Sequence, residues 1–362
     1  MVFLRAVLIF ILSAAAHGAD SLSPPAGFMQ LPEPHQQTAK SVNCPTAPGP
    51  FTGELDFHSK YEGSDSARAT LNPEADAAFR QQTKPITDME RFVSRLVSAW
   101  AQSGNPSNVA CVVNALADWA SAGALTGDAK NHTGRSMRKW ALATFSSAWL
   151  QLQYSPQHPL RAYPAQQANI ERWLSTLGDL TVNEWHDLPL DKVNNHSYWA
   201  AWAIMATAVV TQRRDLFTDA LDIYRTAMQQ IDQEGFLPNE LRRRQRAFSY
   251  HNYAIQPLVM IALFARANGV DPKAENHHAL RRLGDQVISG LADAQPFAQK
   301  TGVTQDVSFL QHPTNLAWLE GWCQLYTCDD ALRQRIARLR PLQNTRLGGD
   351  LTHLMAATAR QE

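Results

Sequence analysis

The stretch KVNNHSYWAAWAIMATAVV, residues 192–210, joins a dense polar cluster directly to an apolar helix. Its large apolar residues Trp202, Met205 and Val209 recur at steps of three and four, which is the period of an α-helix. The stretch therefore predicts an apolar helix with a polar cluster at its start.

The same helical period continues outward from this stretch, beginning at Asn72. The strict alternation that is typical of strands is almost absent. Glycine and proline breaks separate the helical segments at intervals of one or two helices. The pattern predicts an all-α protein built from successive helical hairpins. No repeat is clear enough to indicate a solenoid, so a closed or partly closed ring of helix pairs is the other common solution. The helical segments cover residues 92–100, 109–119, 142–152, 202–209, 216–230, 253–267, 278–291 and 316–325.

The first residues predict a cleaved secretory signal peptide, residues 1–18. Arg5 supplies a positive charge, an apolar run from Ala6 to Ala16 follows, and Ala16 and Gly18 are placed for a signal peptidase. The run is too short to span a bilayer as a helix. We therefore expect an exported, soluble mature protein.

A proline-rich, polar segment follows and predicts an extended strap. Seven prolines lie between Ser21 and Pro50, so this part cannot be one helix. The polar, glycine-containing stretch 60–66 predicts a loop. We assign residues 19–71 to the strap and this loop, and residues 72–362 to a single helical domain.

Charge and composition exclude some functions. The chain has 33 Lys and Arg against 33 Asp and Glu, so its formal net charge is zero. A nonspecific nucleic-acid binder needs a basic field, which this balance does not provide. Hydrophobic residues make up 44% of the chain, enough for a substantial core.

The four cysteines fit an oxidising compartment and allow three disulfide pairings. We prefer Cys44–Cys111 with Cys323–Cys328, because the last two lie close together beside a predicted helix end. The sequence has no Cys/His cluster of the zinc-binding type.

The polar cluster at the start of the apolar helix is the first candidate site. Asn194 or Asn195 can act as the helix N-cap. A cap explains one asparagine, but it leaves the second one unexplained together with the adjacent His196 and Tyr198. We therefore interpret the cluster as functional.

A second candidate is a stripe of cationic and phenolic residues. If the segment is helical, Arg243, Arg246, Tyr250 and Tyr253 lie on one face at steps of three and four. A run of arginines is usually a solvated face. Tyrosines placed between such residues and an apolar helix favour a polar cleft instead.

Two shorter motifs are weaker candidates on their own. Ser59-Lys60-Tyr61 lies in the early loop, and Asn131-His132-Thr133-Gly134 precedes a helix. The sequence also has ten tryptophans, most of which we assign to the core. A few of them are candidates for stacking on sugar rings.

Taken together, these motifs resemble the mannuronate-specific alginate lyases of polysaccharide lyase family five. The resemblance rests on Asn195-His196-Ser197-Tyr198-Trp199, on Arg243 followed by Tyr250-His251-Asn252-Tyr253, and on the two shorter motifs. It implies an incomplete (α/α) barrel, or toroid, with a deep substrate cleft. It also implies a metal-independent, monomeric enzyme of the periplasm, which acts on an anionic polysaccharide and associates with the alginate export machinery.

The resemblance further implies roles for single residues. Asn195 and Arg243, assisted by His196, would neutralise the carboxylate of a uronic acid. Tyr250 would remove the C5 proton and then protonate the leaving oxygen, and His196 is an alternative base toward guluronate. Lys60 would belong to a lid. The implied substrate-binding residues are Ser59, Lys60, Tyr61, His132, Thr133, Trp199 and Tyr253.

Two other functions fit the residues. A glycoside hydrolase on a similar helical barrel would use two carboxylates, for which Glu184, Asp187, Asp191 and Glu240 are available. A non-catalytic component of polysaccharide binding or export is the second alternative. Only a lyase leaves an unsaturated uronate that absorbs ultraviolet light.

Overall fold

The computed structural model describes residues 21–32, 43–63 and 68–356. The predicted signal peptide lies outside the described residues. Within the described ranges the regular structure is almost all helical, with two strands of two residues each. No helix in this part of the chain is both long and apolar enough to cross a membrane.

The helices follow one another with short connections. In chain order they are α1 (Pro73–Ser103), α2 (Pro106–Ser121), α3 (His132–Gln153), α4 (Pro164–Trp185), α5 (Asn195–Thr211), α6 (Arg214–Gln230), α7 (Pro238–Leu241), α8 (Ala247–Ala267), α9 (Glu275–Gly290), α10 (Gln295–Thr301), α11 (Trp318–Leu325), α12 (Asp330–Leu339) and α13 (Leu351–Ala356). Short 3-10 helices cover Ala26–Met29, Pro159–Ala162, Arg244–Arg246, Ser308–Gln311, Pro313–Leu316 and Thr345–Leu347.

Local sequence fixes the ends of the first helices. The Asn72 side chain accepts hydrogen bonds from the backbone N–H groups of Glu74 and Ala75, and Pro73 occupies the first helical position. Proline suits that position because its missing N–H would have no partner there. At the other end of α1, Gly104 adopts a left-handed conformation with φ +64° and stops the helix.

The helices form two concentric layers. In the inner layer α1 packs on α3, α3 on α5, α5 on α8 and α8 on α11. In the outer layer α2 packs on α4, α4 on α6 and α6 on α9. Four of the inner helices also contact the outer helix that follows them: α1 with α2, α3 with α4, α5 with α6 and α8 with α9. This arrangement is the (α/α) toroid, and it confirms the predicted fold class.

Helix α5 is the central element of the inner layer. It contacts α3, α4, α6 and α8, and nearly all of its side chains are buried. A helix surrounded in this way must be apolar on every side, which is the pattern of residues 200–210. The polar side chains of its first turn lie at the open end of the ring, and the two threonines farther along, Thr207 and Thr211, donate to backbone carbonyls of α5 itself.

A hairpin near the end of the chain fills the centre of the ring. Strands β1 (Gln343–Asn344) and β2 (Gly349–Asp350) pair in antiparallel fashion, and the 3-10 turn between them contacts α1, α3 and α8. Gly348 has φ +120°, a conformation that other residues rarely adopt. The indole of Trp202 donates to the carbonyl of Arg346 at 2.7 Å and anchors the tip.

The N-terminal strap runs toward the start of α3. The backbone of Leu55 exchanges hydrogen bonds with Asp128 and Lys130, at 2.8 and 3.0 Å. The approach is so close that a Cβ on Gly134 would lie 1.9 Å from the Leu55 carbonyl oxygen, so that position requires glycine. This packing brings residues 59–61 beside the first turn of α3.

Two disulfides brace the described fold. Cys44–Cys111 ties the strap to α2, and Cys323–Cys328 closes the end of α11. Both bonds were the preferred pairing, which is therefore confirmed.

Candidate active site

The start of α5 presents two asparagines with different roles. Asn194 is the N-cap, because its side-chain oxygen accepts from the N–H of His196 at 2.9 Å. Asn195 is the first helical residue and is fully buried. Its Nδ2 donates to both carboxylate oxygens of Glu240, at 3.0 and 2.9 Å. Of the two asparagines, one is therefore the helix cap and the other is a residue of the site.

His196 is held on one side of its ring by a buried amine. Its Nδ1 lies 3.0 Å from Lys139 Nζ and 3.3 Å from the Ser136 hydroxyl. The ring also stacks on Trp185 and makes an edge contact with His132, whose ring centroid is 4.4 Å away. Burial, reinforced by the nearby Lys139, lowers the pKa of His196 well below its usual value. The imidazole is therefore neutral near pH 7, and Nε2 is the nitrogen left for the cleft.

Lys139 is a residue that sequence reasoning missed. It is fully buried, its Nζ lies 3.5 Å from the ring centroid of Trp185, and burial lowers its pKa well below the usual value. Its helical spacing from His132 and Ser136, four and then three residues, puts all three on one face of α3. That spacing was the available signal.

The segment before α8 differs from the single helix that the stripe required. Helix α7 ends at Leu241, and Arg244 has φ +52°, so the chain turns before α8 begins at Ala247. The prediction of one continuous helical face was wrong here, because a left-handed residue interrupts the helix. The four residues of the stripe nevertheless line one cavity, since the turn folds the arginines back beside α8.

Tyr250 stands in a network of phenols and guanidinium groups. Its hydroxyl lies 3.0 Å from the hydroxyl of Tyr61, which also accepts a hydrogen bond from Arg246 at 2.7 Å. The guanidinium carbon of Arg243 lies 4.3 Å from the centroid of the Tyr250 ring. Positive charge therefore lies next to the position where a phenolate would form. Tyr61 joins the early loop to this network.

These groups surround one cavity of about 550 Å³ at the open end of the ring. All predicted site residues except Trp199 line it. The lining residues are Ser59, Lys60, Tyr61, Arg68, Phe79, Thr87, His132, Thr133, Ser136, Trp140, Asn195, His196, Arg243, Arg246, Ser249, Tyr250, Asn252, Tyr253, Gln256, Ser308, Phe309, His312, Asn315 and Arg346.

The charge of this cleft is one-sided, although the chain as a whole is neutral. Among the described residues that line it there are a lysine and four arginines, but neither an aspartate nor a glutamate. Such a cleft focuses a positive potential on whatever enters it. The geometry therefore suits an anionic ligand that carries repeated negative charges. The cationic residues are Lys60, Arg68, Arg243, Arg246 and Arg346.

The structure contradicts the prediction that Trp199 binds substrate. Only 1% of this residue is exposed, and it does not line the cleft. Its ring stacks on Tyr253 with 5.1 Å between centroids, and its indole donates to the Tyr253 carbonyl at 3.1 Å. The cause is the helical geometry of α5, which turns Trp199 toward α8. Trp199 therefore supports the wall that Tyr253 presents to the cleft.

Arg346 also escaped sequence reasoning. It reaches the cleft from the hairpin tip, where its guanidinium lies 4.4 Å from the Trp140 ring centroid. Glu90 pairs with it from behind at 2.9 Å. No motif surrounds Arg346 in the sequence, because only the folded hairpin brings it to the site.

The carboxylates that a hydrolase would need are not in the cleft. Glu184 forms an ion pair with Arg138, and Glu240 is bound to Asn195. The side chains of Asp187 and Asp191 are 90% and 57% exposed and lie outside the cavity. Among the residues that the structure describes, no group of three or more His, Cys, Asp or Glu side chains is arranged to hold a metal ion.

The fold and the cleft together define a helical toroid with a site for a polyanion, furnished with a phenol, an imidazole and an arginine. Comparison with known proteins identifies the family within this class of helical toroids. A family model described as "Alginate lyase" matches residues 56–297. The chain belongs to the alginate lyase family, and it is a polysaccharide lyase.

Relatives and a solved structure agree with this assignment. The chain is 48% identical to an alginate lyase of Pseudomonas putida (strain W619), over 100% of this chain and 98% of the relative. It is 49% identical to an alginate lyase of Azotobacter vinelandii (strain DJ), over 95% of this chain and 92% of the relative. The fold is similar to that of a tyrosine-to-phenylalanine variant of alginate lyase A1-III complexed with a tetrasaccharide. Here the TM-score is 0.75 at 24% identity, over 90% of this chain and 88% of the other.

Proposed function

We propose that this enzyme cleaves the β-1,4 bonds of polymannuronate by β-elimination. The products are oligosaccharides with a 4-deoxy unsaturated uronate at the new non-reducing end. The observation that carries this proposal is one cavity lined by Tyr250, His196, Asn195 and Arg243, with cationic residues and no carboxylate among its described lining residues.

The first task in this reaction is to neutralise the sugar carboxylate. The C5 proton lies α to that carboxylate and is barely acidic, so its removal builds up a second negative charge. Donors that are already in position stabilise this charge as it develops. Arg243 suits the task, because its guanidinium offers a planar pair of donors to a carboxylate. Asn195 and the neutral His196 lie at the start of α5 and supply further polar contacts.

The second task is the proton transfer. In mannuronate the C5 hydrogen and the C4 leaving oxygen lie on the same face of the ring. One phenol can therefore take the proton and then give it to the leaving oxygen. Tyr250 has Arg243 beside its ring and the Tyr61 hydroxyl within 3.0 Å of its own oxygen. The positive charge of Arg243 favours the phenolate that takes the C5 proton and that forms again once the leaving oxygen has been protonated.

The test is the incubation of the purified protein with polymannuronate, polyguluronate and acetylated polymannuronate, with ultraviolet absorbance and reducing ends followed together. We expect absorbance and reducing ends to rise in parallel on polymannuronate. Reducing ends without absorbance would indicate a hydrolase. Binding without either signal would indicate a non-catalytic export component. Absorbance that rises faster on polyguluronate would contradict the proposed specificity.

Lys60 provides a prediction about binding. It lines the cleft on the early loop, where burial and the positive charge of Arg246 lower the pKa of its amine. We expect Lys60→Ala to raise KM for polymannuronate by about tenfold while kcat changes less, because the lost contact holds a neighbouring sugar. Steady-state kinetics at low salt measure this effect. Lys130→Ala is the matched control, since Lys130 lies outside the cleft and pairs with Glu54 and Asp128. An unchanged KM in Lys60→Ala would contradict the role.

We also propose that the enzyme works as a monomer in the periplasm, where it clears stray alginate beside the export machinery. A secretory signal is predicted over residues 1–18, and two disulfides suit an oxidising compartment. Fractionation of cells that express the full chain tests the location. Size-exclusion chromatography and co-purification with export proteins test the monomeric state and the association.

A further inference from the structure

Only one end of the Asn195 side-chain amide has a hydrogen-bond partner among the described residues. Its Nδ2 and its backbone N–H both donate to the side chain of Glu240, and the backbone bond is 2.6 Å long. Its Oδ1 is buried and has no hydrogen-bond partner among the described residues. A buried acceptor without a partner costs free energy. In this orientation the amide also directs its donor away from the cleft and toward Glu240.

A half-turn of the amide removes both problems if Glu240 carries a proton. Oxygen and nitrogen of an amide exchange places on such a rotation, with almost no change in shape. The oxygen then faces Glu240 at the position that Nδ2 now occupies, 2.9 Å from Oε2. A protonated Oε2 donates to it, while Oε1 continues to accept from the Asn195 backbone. The NH₂ group takes the other end of the side chain, which Glu240 leaves free.

We propose that Glu240 is a positioning residue, which holds the Asn195 amide by donating a hydrogen bond to its oxygen and thereby turns its NH₂ toward the substrate carboxylate. The inference rests on the proposed lyase function and adds a residue to it. Glu240 does not line the cleft, so it acts through Asn195 and not on the substrate directly.

The surroundings of Glu240 favour its neutral form. The residue is fully buried on α7, and burial raises the pKa of its carboxyl above the usual value. Arg243 and the hydrogen bonds from Asn195 oppose this effect without cancelling it. The other titratable group coupled to it is Tyr198 on α5, whose own pKa burial raises. Tyr198 is thus neutral, and Arg243 is the charged group that opposes protonation of the Glu240 carboxylate.

Substitutions of Glu240 test the proposal through kcat on polymannuronate. We expect Glu240→Leu to lower kcat by about 100-fold, the effect of losing one oriented donor. We expect Glu240→Gln to restore kcat to within about threefold of the parent. Glutamine presents its oxygen to the Asn195 backbone and its NH₂ to Asn195 Oδ1, so it enforces the turned amide without any charge. In an Asn195→Ala background, Glu240→Leu should cause little further loss, since the two residues act as a unit.

Controls keep the outcomes distinct. Glu320→Gln is the matched variant, because Glu320 is a buried carboxylate paired with Arg340 away from the cleft. It should leave kcat unchanged. A Glu240→Gln variant that melts like the parent but has a kcat about 100-fold below that of the parent overturns the proposal, whether or not the leucine variant folds. If the parent enzyme itself does not cleave polymannuronate, the result contradicts the proposed lyase function and not the role of Glu240.

Discussion

Tyr250→Phe loses kcat on polymannuronate by about 1,000-fold or more, because one hydroxyl serves as both base and acid in the proposed reaction. The substitution removes a single oxygen. Phenylalanine keeps the ring that packs against Arg243 and Tyr253, and Tyr61 retains its hydrogen bond from Arg246. We therefore expect the variant to fold and to bind polymer. Ultraviolet absorbance measures its turnover, and inhibition of the parent enzyme by the inactive variant, through competition for polymer, measures its binding.

The control for this prediction is Tyr154→Phe. That hydroxyl also takes part in hydrogen bonds, with Leu22 and Gln212, but it lies outside the cleft. Its removal should alter the melting temperature slightly and leave turnover intact. Normal turnover in Tyr250→Phe would refute the assignment of the base and would leave His196 as the remaining candidate.

His196→Ala is the second large effect, with an expected loss of about 100-fold or more in kcat. Two causes combine in this variant. The substrate loses a neutral imidazole next to its carboxylate, and the buried Lys139 loses the ring nitrogen that it contacts at 3.0 Å. Activity should be measured on polymannuronate and on polyguluronate separately. If His196 is the base for guluronate, any activity on that polymer disappears completely, while a residual activity on polymannuronate survives.

His186→Ala is the matched control, because its imidazole is partly buried and lies outside the cleft, beside Asp187 and Asp219. It should match the parent in turnover. A His196→Ala enzyme that degrades polymannuronate at the parent rate would remove His196 from the mechanism. A lower melting temperature in the same variant would then measure only its packing with Lys139.

The sequence was sufficient for the fold because the fold depends on local patterns. Residues 200–210 are apolar on every side, which suits a helix enclosed by four others. Helical period and regular breaks indicated paired helices, although the resemblance was needed to choose a toroid over a solenoid. A continuous helix through Arg243 and Tyr250 does not form, because Arg244 adopts a left-handed backbone conformation. Arginine rarely adopts that conformation, so its residue type gave no sign of the break.

The site was predictable where its residues lie close together in the sequence. Asn195 with His196, and Arg243 with Tyr250, each form a compact motif beside an apolar helix. Lys139 and Arg346 were missed because their importance comes from contacts with distant segments. Trp199 was misplaced because the motif gives the spacing of its residues but not the side of α5 that each one faces.

The hairpin that carries Arg346 lies near the end of the chain, after every helix of the inner layer. Among the described residues that line the cleft, every other cationic residue is synthesised earlier, and the last of them, Arg246, precedes Arg346 by 100 residues. The chain therefore supplies the five inner helices before it supplies the hairpin that fills the centre of the ring. A chain that ends before residue 343 lacks Arg346, and with it one of the five cationic residues that line the described part of the cleft.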